Sequence, residues 1–231
     1  PSQKIAIPQH NIVTTEVNGL QGGQVDTAGV AISDTINALE LVTIKGYIAD
    51  SNGELLTGFN GEIFPTVFDK ESTLETLVND SRSRRKEFGV YRNVLFKGAA
   101  SVINGEWQFS FVLPKDINYN FGNGRIAYYA YNGDVTDAAG SFTDIIVGGS
   151  DDDTPVDNEG PEMGLYMNTS DFVSGGETNA NPILFVNLSD DLGINVSGTS
   201  IGHDITAILD DDRANPIILN EYYAANVDDF T

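Results

Sequence analysis

Four side chains with oxygen ligands lie close together near the middle of the chain: Asp151, Asp153, Asp157 and Asn158. Carboxylate and amide oxygens on a short, turn-rich segment are what Ca²⁺ prefers, especially at a junction between domains. The spacing lacks the central glycine and the terminal glutamate of an EF-hand loop. Two interpretations therefore stay open: a weak calcium site, with Ca²⁺ as the candidate cofactor, or an acidic linker that is simply solvated.

A second pattern that suggests chemistry is His203 followed by Asp204, because a carboxylate can orient an imidazole for acid–base catalysis. A nucleophile would have to be serine or threonine, since the sequence has no cysteine. No Gly-x-Ser-x-Gly elbow occurs, and His10, the other histidine, is distant in sequence. We therefore expect a structural role for His203 and no catalytic residue in this chain.

The chain has a single cluster of basic side chains, formed by Arg82, Arg84, Arg85 and Lys86. We expect these residues on an exposed hairpin excursion, where they could contact an acidic partner, contact the acidic second module of the chain, or remain solvated. The run Asp210, Asp211 and Asp212 lies at an expected turn and is a second candidate contact.

Several tyrosines offer aromatic faces on which sugars could stack. In the segment 125–131, however, strand alternation places Tyr128 on the opposite face from Tyr129 and Tyr131. Packing within the protein is therefore the alternative to a carbohydrate-binding surface that would also include Tyr119.

Charge limits the classes of partner. The formal net charge of the 231 residues is −22, and residues 151–231 hold Arg213 as their only cation against 17 acids. Phosphate backbones need clustered Lys and Arg, so the sequence predicts no nucleic-acid partner. No apolar run approaches the ~20 residues that span a bilayer.

Alternating apolar residues predict strands rather than helices through most of the chain. In the segment 106–113 the large side chains Trp107, Phe109, Phe111 and Leu113 share one face, and Asn104-Gly105 before them is a hairpin turn. About seven short strands before residue 150 and about four after residue 161 predict an all-β protein of tandem immunoglobulin-like antiparallel β-sandwich modules, the second incomplete.

The predicted domain organisation follows from these strands and from the acidic, proline-containing run between them. We expect a tether or an end strand from an upstream domain in residues 1–34, module 1 in 35–149, a linker in 150–161, and the partial module 2 in 162–231.

Several phrases along the chain together resemble one family. They are Ile7-Pro8-Gln9-His10-Asn11-Ile12-Val13-Thr14-Thr15, Leu41-Val42-Thr43-Ile44-Lys45-Gly46, Phe64-Pro65-Thr66-Val67-Phe68-Asp69-Lys70, Asn93-Val94-Leu95-Phe96-Lys97-Gly98, Gly160-Pro161-Glu162, Leu165-Tyr166-Met167-Asn168 and Ile201-Gly202-His203-Asp204-Ile205. The chain resembles the region downstream of the peptidase domain in the PorU family, the gingipain-related cysteine peptidases that act as sortases of the Bacteroidetes type IX secretion system.

The resemblance implies a supporting role at the cell surface. In that family the catalytic cysteine and histidine lie upstream of the phrase that begins at Ile7, so none is carried over to this chain. The implied partners are an upstream peptidase domain, a PorV-like β-barrel protein of the outer membrane and secreted cargo proteins, and the implied location is the extracellular face of that membrane. The competing class is a calcium-dependent adhesin or a carbohydrate-binding β-sandwich protein.

Overall fold

The computed structural model describes residues 7–21, 34–133, 136–150, 159–196 and 204–229. These residues form strands and one short 3₁₀ turn, and no α-helix occurs among them. The prediction of an all-β protein is therefore confirmed for the described part of the chain. No helix in that part is long and apolar enough to cross a membrane.

The described residues contain eighteen strands, numbered here in chain order. The first nine are β1 (His10–Val17), β2 (Leu20–Gln21), β3 (Asp34–Ala38), β4 (Leu41–Ala49), β5 (Gly61–Phe68), β6 (Ser72–Glu75), β7 (Glu87–Val90), β8 (Val94–Lys97) and β9 (Ala100–Ile103). The remainder are β10 (Glu106–Val112), β11 (Gly122–Asn123), β12 (Arg125–Tyr131), β13 (Asp137–Phe142), β14 (Ile145–Ser150), β15 (Glu162–Met167), β16 (Leu184–Ser189), β17 (Thr206–Ala207) and β18 (Ile217–Ile218), followed by the 3₁₀ turn Asn220–Tyr222.

Seven strands close into a barrel in the order β12, β13, β1, β4, β10, β9 and β5, with β5 pairing back to β12. All pairs in this ring are antiparallel except β1 with β13. The predicted immunoglobulin-like sandwich is thus replaced by a closed barrel. Both architectures bury one face of each strand, so apolar alternation along the sequence does not distinguish them.

Pro65 shows how the barrel accommodates a residue without a backbone N–H inside a strand that is paired on both sides. One edge of β5 pairs with β9 over Gly61–Ile63 and with β8 over Thr66–Phe68. Pro65 falls in the gap between these two pairings, where no ladder bond from its nitrogen is required on that edge.

The barrel interior is filled by side chains, as expected for a small barrel. Trp107, Phe109, Phe111 and Leu113 are each at most 5% exposed, whereas Gln108 is exposed. The predicted inward face of this strand is therefore confirmed. The hairpin turn before it is also confirmed, since Asn104 and Gly105 have φ values of 52° and 81°, as a two-residue turn between β9 and β10 requires.

A three-stranded sheet of β11, β14 and β3 adds buried side chains to the same core, including Ile36, Ile145 and Val147. The remaining described pairs are the separate ribbons β6–β7, β15–β16 and β17–β18.

The chain divides into two compact units. One comprises Pro1–Thr154 with Asn195–Phe230 and contains the barrel, and the other comprises Pro155–Ile194 and contains the ribbon β15–β16. This division by packing differs from the predicted one downstream of residue 194. It also places β1, which we expected in a tether or an end strand, within the barrel between β13 and β4.

Candidate functional site

The four predicted calcium ligands, Asp151, Asp153, Asp157 and Asn158, lie outside the described residues. His203 lies outside them as well. Within the described ranges, no group of three or more His, Asp or Glu side chains is arranged to hold a metal ion. Calcium binding near residue 155 therefore stays a prediction.

The predicted basic excursion is a two-stranded ribbon, here called the β6–β7 ribbon and defined as Ser72–Val90. Its strands pair from Ser72 with Val90 to Glu75 with Glu87. Asp80 fixes the tip, because its Oδ1 accepts the backbone N–H groups of Arg82 at 2.8 Å and Ser83 at 3.0 Å. These bonds form a local turn of the kind that aspartate favours.

The cations of this ribbon point into solvent. Arg85 is paired with Glu75 at 3.0 Å, but both side chains are largely exposed, so the pair contributes little to stability. Among the described residues, no ion pair engages Arg82, Arg84 or Lys86. The positive charge is thus available to a partner.

The predicted acidic turn connects β17 with β18. Asp210 and Asp211 have φ values of 52° and 60°, and the Asp212 carboxylate accepts a hydrogen bond from Asn215 Nδ2 at 2.8 Å. Within the described ranges, no hydrogen bond or ion pair joins this turn to the β6–β7 ribbon. The two predicted contact regions are therefore separate features.

Three aromatic side chains form an exposed patch on the outside of the barrel, here called the outer aromatic face: Phe64, Tyr129 and Tyr131. They are 39%, 44% and 41% exposed, and the rings of Phe64 and Tyr129, which are opposite each other on β5 and β12, have centroids 6.4 Å apart. Tyr128 is 4% exposed and faces inward, so the predicted division of these tyrosines between two faces is confirmed.

Tyr128 also carries a polar contact into the core. Its hydroxyl lies 2.8 Å from Thr14 Oγ1, so the two side chains link β12 to β1. Burial raises the pKa of the Tyr128 phenol above its usual value, because the phenolate would lose its hydration.

Sequence reasoning missed a buried polar cluster at one end of β5. The Lys70 ammonium lies 2.7 Å from Asp69 Oδ1 and donates to the backbone carbonyls of Asn118 at 2.8 Å and Val147 at 3.3 Å. Asn93 Nδ2 donates to Asp69 Oδ2 at 3.2 Å. One cation thus ties the end of β5 to the loop before β11 and to β14. The adjacent Asp69 and Lys70 at the end of a predicted strand could have indicated an ion pair. The backbone carbonyls that Lys70 contacts could not be identified from the sequence.

A second feature missed from sequence is the C-terminal strap, defined here as Ala225–Asp228. Its backbone amides donate to the carbonyls of Lys97 at 2.9 Å and Ala99 at 3.1 Å. The Asp228 carboxylate accepts the backbone N–H of Ser101 at 2.8 Å and its hydroxyl at 2.6 Å. The strap therefore covers the junction between β8 and β9, two strands that pair in succession with the same edge of β5.

The chain is similar to a solved structure over most of its length. The chain is similar to the crystal structure of dimeric latent PorU from Porphyromonas gingivalis, with 32% identity and a TM-score of 0.59 over 95% of this chain. The chain spans only 20% of the length of that PorU chain. This likeness agrees with the expected resemblance to a PorU-related domain.

A second similarity, to the sporulation control protein Spo0M from Bacillus subtilis, covers 62% of this chain and 50% of that protein at 15% identity and a TM-score of 0.32. No family model and no curated protein matches the chain.

Proposed function

We propose that this chain is a non-catalytic β region of a PorU-type sortase, a gingipain-like cysteine peptidase of the type IX secretion system at the cell surface. It would serve as a scaffold or docking platform for the processing of secreted cargo. The observation that carries the proposal is the 32% identity to PorU across 95% of the chain, combined with the absence of cysteine. A cysteine peptidase needs a thiolate nucleophile, so the chemistry would belong to a peptidase domain elsewhere in the polypeptide.

The fold supports a rigid platform. The barrel has no open edge within its ring of seven strands, and its ends are tied by Lys70 and by the C-terminal strap. Such a body gives the connections between its strands fixed points of attachment, and binding residues are commonly found on connections of this kind. The candidate contacts to a PorV-like outer-membrane partner are the cations of the β6–β7 ribbon and the turn at Asp210–Asp212.

Deletion of the region from the parent protein tests the platform role. The deleted protein should no longer process cargo in cells, whereas its peptidase domain, once purified, should still cleave a small peptide. Normal display of cargo on the cell surface after the deletion would contradict the proposal.

A second candidate function is carbohydrate binding by an adhesin-like protein, favoured by the outer aromatic face. Two adjacent exposed rings on one sheet surface suit stacking on sugar rings, and neighbouring strands supply polar side chains such as Glu62 and Asp137. Screening of the chain against a glycan array would test it. Binding that is lost in Tyr129→Ala but retained in Tyr119→Ala would favour this function over the platform.

A further inference from the structure

The β6–β7 ribbon is structurally independent of the barrel. Among the described residues, every hydrogen bond and ion pair made by residues 72–90 is internal to the ribbon, and none of its side chains joins the buried core. The tip is nevertheless ordered by specific contacts, since Thr76 Oγ1 accepts the Lys86 backbone N–H at 2.9 Å and donates to the Arg84 carbonyl at 3.2 Å. The β6–β7 ribbon thus has a defined shape although it does not contribute to the core, and its side chains are available for binding.

The tip combines exposed apolar and cationic side chains. Leu77 is 80% exposed and Val78 is 51% exposed, next to a loop that carries Arg82 and Arg84. Apolar surface in water is unfavourable, and neither side chain packs on the core. The exposed pair, together with the neighbouring cations, is therefore a surface suited to contact with a partner.

The ribbon also reverses the sign of the charge. Four of the chain's 12 cations fall within residues 82–86, although the chain as a whole has a net charge of −22. The ribbon holds three acids, Glu75, Asp80 and Glu87, against these four cations, so its formal charge is +1. Glu75 is paired with Arg85, and the loop beyond Asp80 carries only cations.

We propose that the tip of the β6–β7 ribbon docks onto an anionic lipid surface. Leu77 and Val78 would enter the boundary between headgroups and acyl chains, and Arg82, Arg84 and Lys86 would contact lipid phosphates. Apolar side chains flanked by cations match the layering of such a surface, where phosphates lie just outside the apolar interior. An acidic protein would satisfy the cations but would not by itself account for the apolar pair, so lipid is the favoured partner.

The negative charge of the rest of the chain does not prevent this docking. Four paired residues at ~3.4 Å each make the ribbon strands about 14 Å long, before the tip loop is added. The screening length at physiological ionic strength is about 8 Å, so acids farther than this from the tip are largely screened. This proposal rests on the proposed platform function, because that function places the chain beside a membrane.

Vesicle flotation with the full 231-residue chain tests the proposal, using phosphatidylcholine vesicles and vesicles of three parts phosphatidylcholine to one part phosphatidylglycerol. We expect binding to the anionic vesicles that weakens with added salt. Each cation near an anionic surface strengthens binding about fivefold. The double substitution Arg82→Gln with Arg84→Gln should therefore lower the partition coefficient roughly 25-fold. Leu77→Ser with Val78→Ser should lower it by roughly tenfold or more through lost apolar burial.

Matched controls separate the tip from general charge and apolarity. Lys115→Gln with Arg213→Gln removes the same charge elsewhere, and Ile103→Ser removes an apolar side chain that is 63% exposed at another hairpin. Both should bind anionic vesicles like the unaltered chain. Because the ribbon does not pack on the core, the tip variants should also keep the melting temperature of the unaltered chain.

Insertion can be observed directly with Leu77→Trp, since the chain's own Trp107 is 3% exposed and reports on the barrel interior. The fluorescence emission of the Leu77→Trp variant should shift to the blue on anionic vesicles. Absence of vesicle binding, equal binding to vesicles of phosphatidylcholine alone, or equal losses in the control variants would each overturn the lipid proposal. None of these outcomes would affect the cargo-processing test, so failure of the platform role remains distinguishable.

Discussion

The indole ring of Trp107 lies directly over Gly46, its partner on the neighbouring strand β4. A methyl group at residue 46 would overlap this ring and also the backbone carbonyl of Val13 on the other side. Glycine weakens a strand, so its presence here reflects the close approach of two strands around a large aromatic side chain.

Gly46→Ala should therefore destabilise the barrel by about 1 to 3 kcal/mol, since the added carbon forces the Trp107 ring or the strand to move. Gly58→Ala is the matched control, because a methyl group there has no heavy atom within 4 Å. Denaturant unfolding of both variants measures the difference. Equal stabilities would show that the wall between β1, β4 and β10 is looser than the structure indicates.

Phe109 is the centre of an aromatic stack in the barrel, with ring centroids 5.8 Å from Phe96, 6.0 Å from Trp107 and 6.1 Å from Phe111. Phe109→Ala should cost roughly 3 to 5 kcal/mol of unfolding free energy, a large part of the ~5 to 15 kcal/mol typical of a domain. Gln108→Ala, on the exposed face of the same strand, should cost little. The prediction is wrong if the two substitutions have similar effects in chemical denaturation.

The C-terminal strap can be tested through Asp228, whose carboxylate receives both Ser101 donors. Asp228→Ala should lower stability by about 1 kcal/mol and speed hydrogen exchange at the Ser101 amide, which loses its acceptor. Glu221→Ala is the control, because among the described residues Glu221 is bonded through its backbone carbonyl, which accepts from Lys97 Nζ, and its carboxylate makes no ion pair. Unchanged exchange at Ser101 would mean that the strap is not held by this carboxylate.

Tyr128 predicts how stability changes at alkaline pH. Burial raises the pKa of Tyr128 in the folded state. Its contribution to the unfolding free energy is therefore fully present below the ordinary tyrosine pKa of 10.0 and is lost as the pH rises above that value. The unfolding free energy should therefore fall above that pH, by up to about 1.4 kcal/mol per pH unit for this group. Tyr128→Phe should flatten the fall when thermal unfolding is followed from neutral to alkaline pH; an unchanged slope would assign the effect to other groups.

Calcium remains a prediction for the segment that contains Asp151, Asp153, Asp157 and Asn158. A site of the extracellular type would have a Kd of ~10⁻⁴ to 10⁻³ M. A tenfold excess over Kd would then raise the unfolding free energy by about 1.4 kcal/mol. Melting curves in chelator and in millimolar calcium should differ, and Asp151→Asn with Asp153→Asn should remove the difference. Coincident curves for the unaltered chain would leave only the solvated acidic linker.

The position of the basic excursion could be read from sequence, whereas its independence from the barrel could not. Charged side chains are costly to bury, so the exposure of Arg82 and Lys86 followed from their type. Whether these cations contact the turn at Asp210 depends on the tertiary fold, because the two segments are far apart in the sequence. The acceptors of Lys70 are similarly hidden, because every residue has a carbonyl and only the fold selects those of Asn118 and Val147.

The sequence by itself determined the all-β class, the inward face of Trp107 and Phe109, and the turn at Asn104-Gly105, because apolar alternation and turn chemistry are encoded within a few neighbouring residues. Only the tertiary structure decided that the strands close into a barrel. Closure depends on the pairing of β12 with β5 and on the parallel pairing of β1 with β13, which join segments far apart in the chain. A sandwich and a barrel bury the same face of each strand, so the choice between them rests on which distant edges meet, and no local pattern records that.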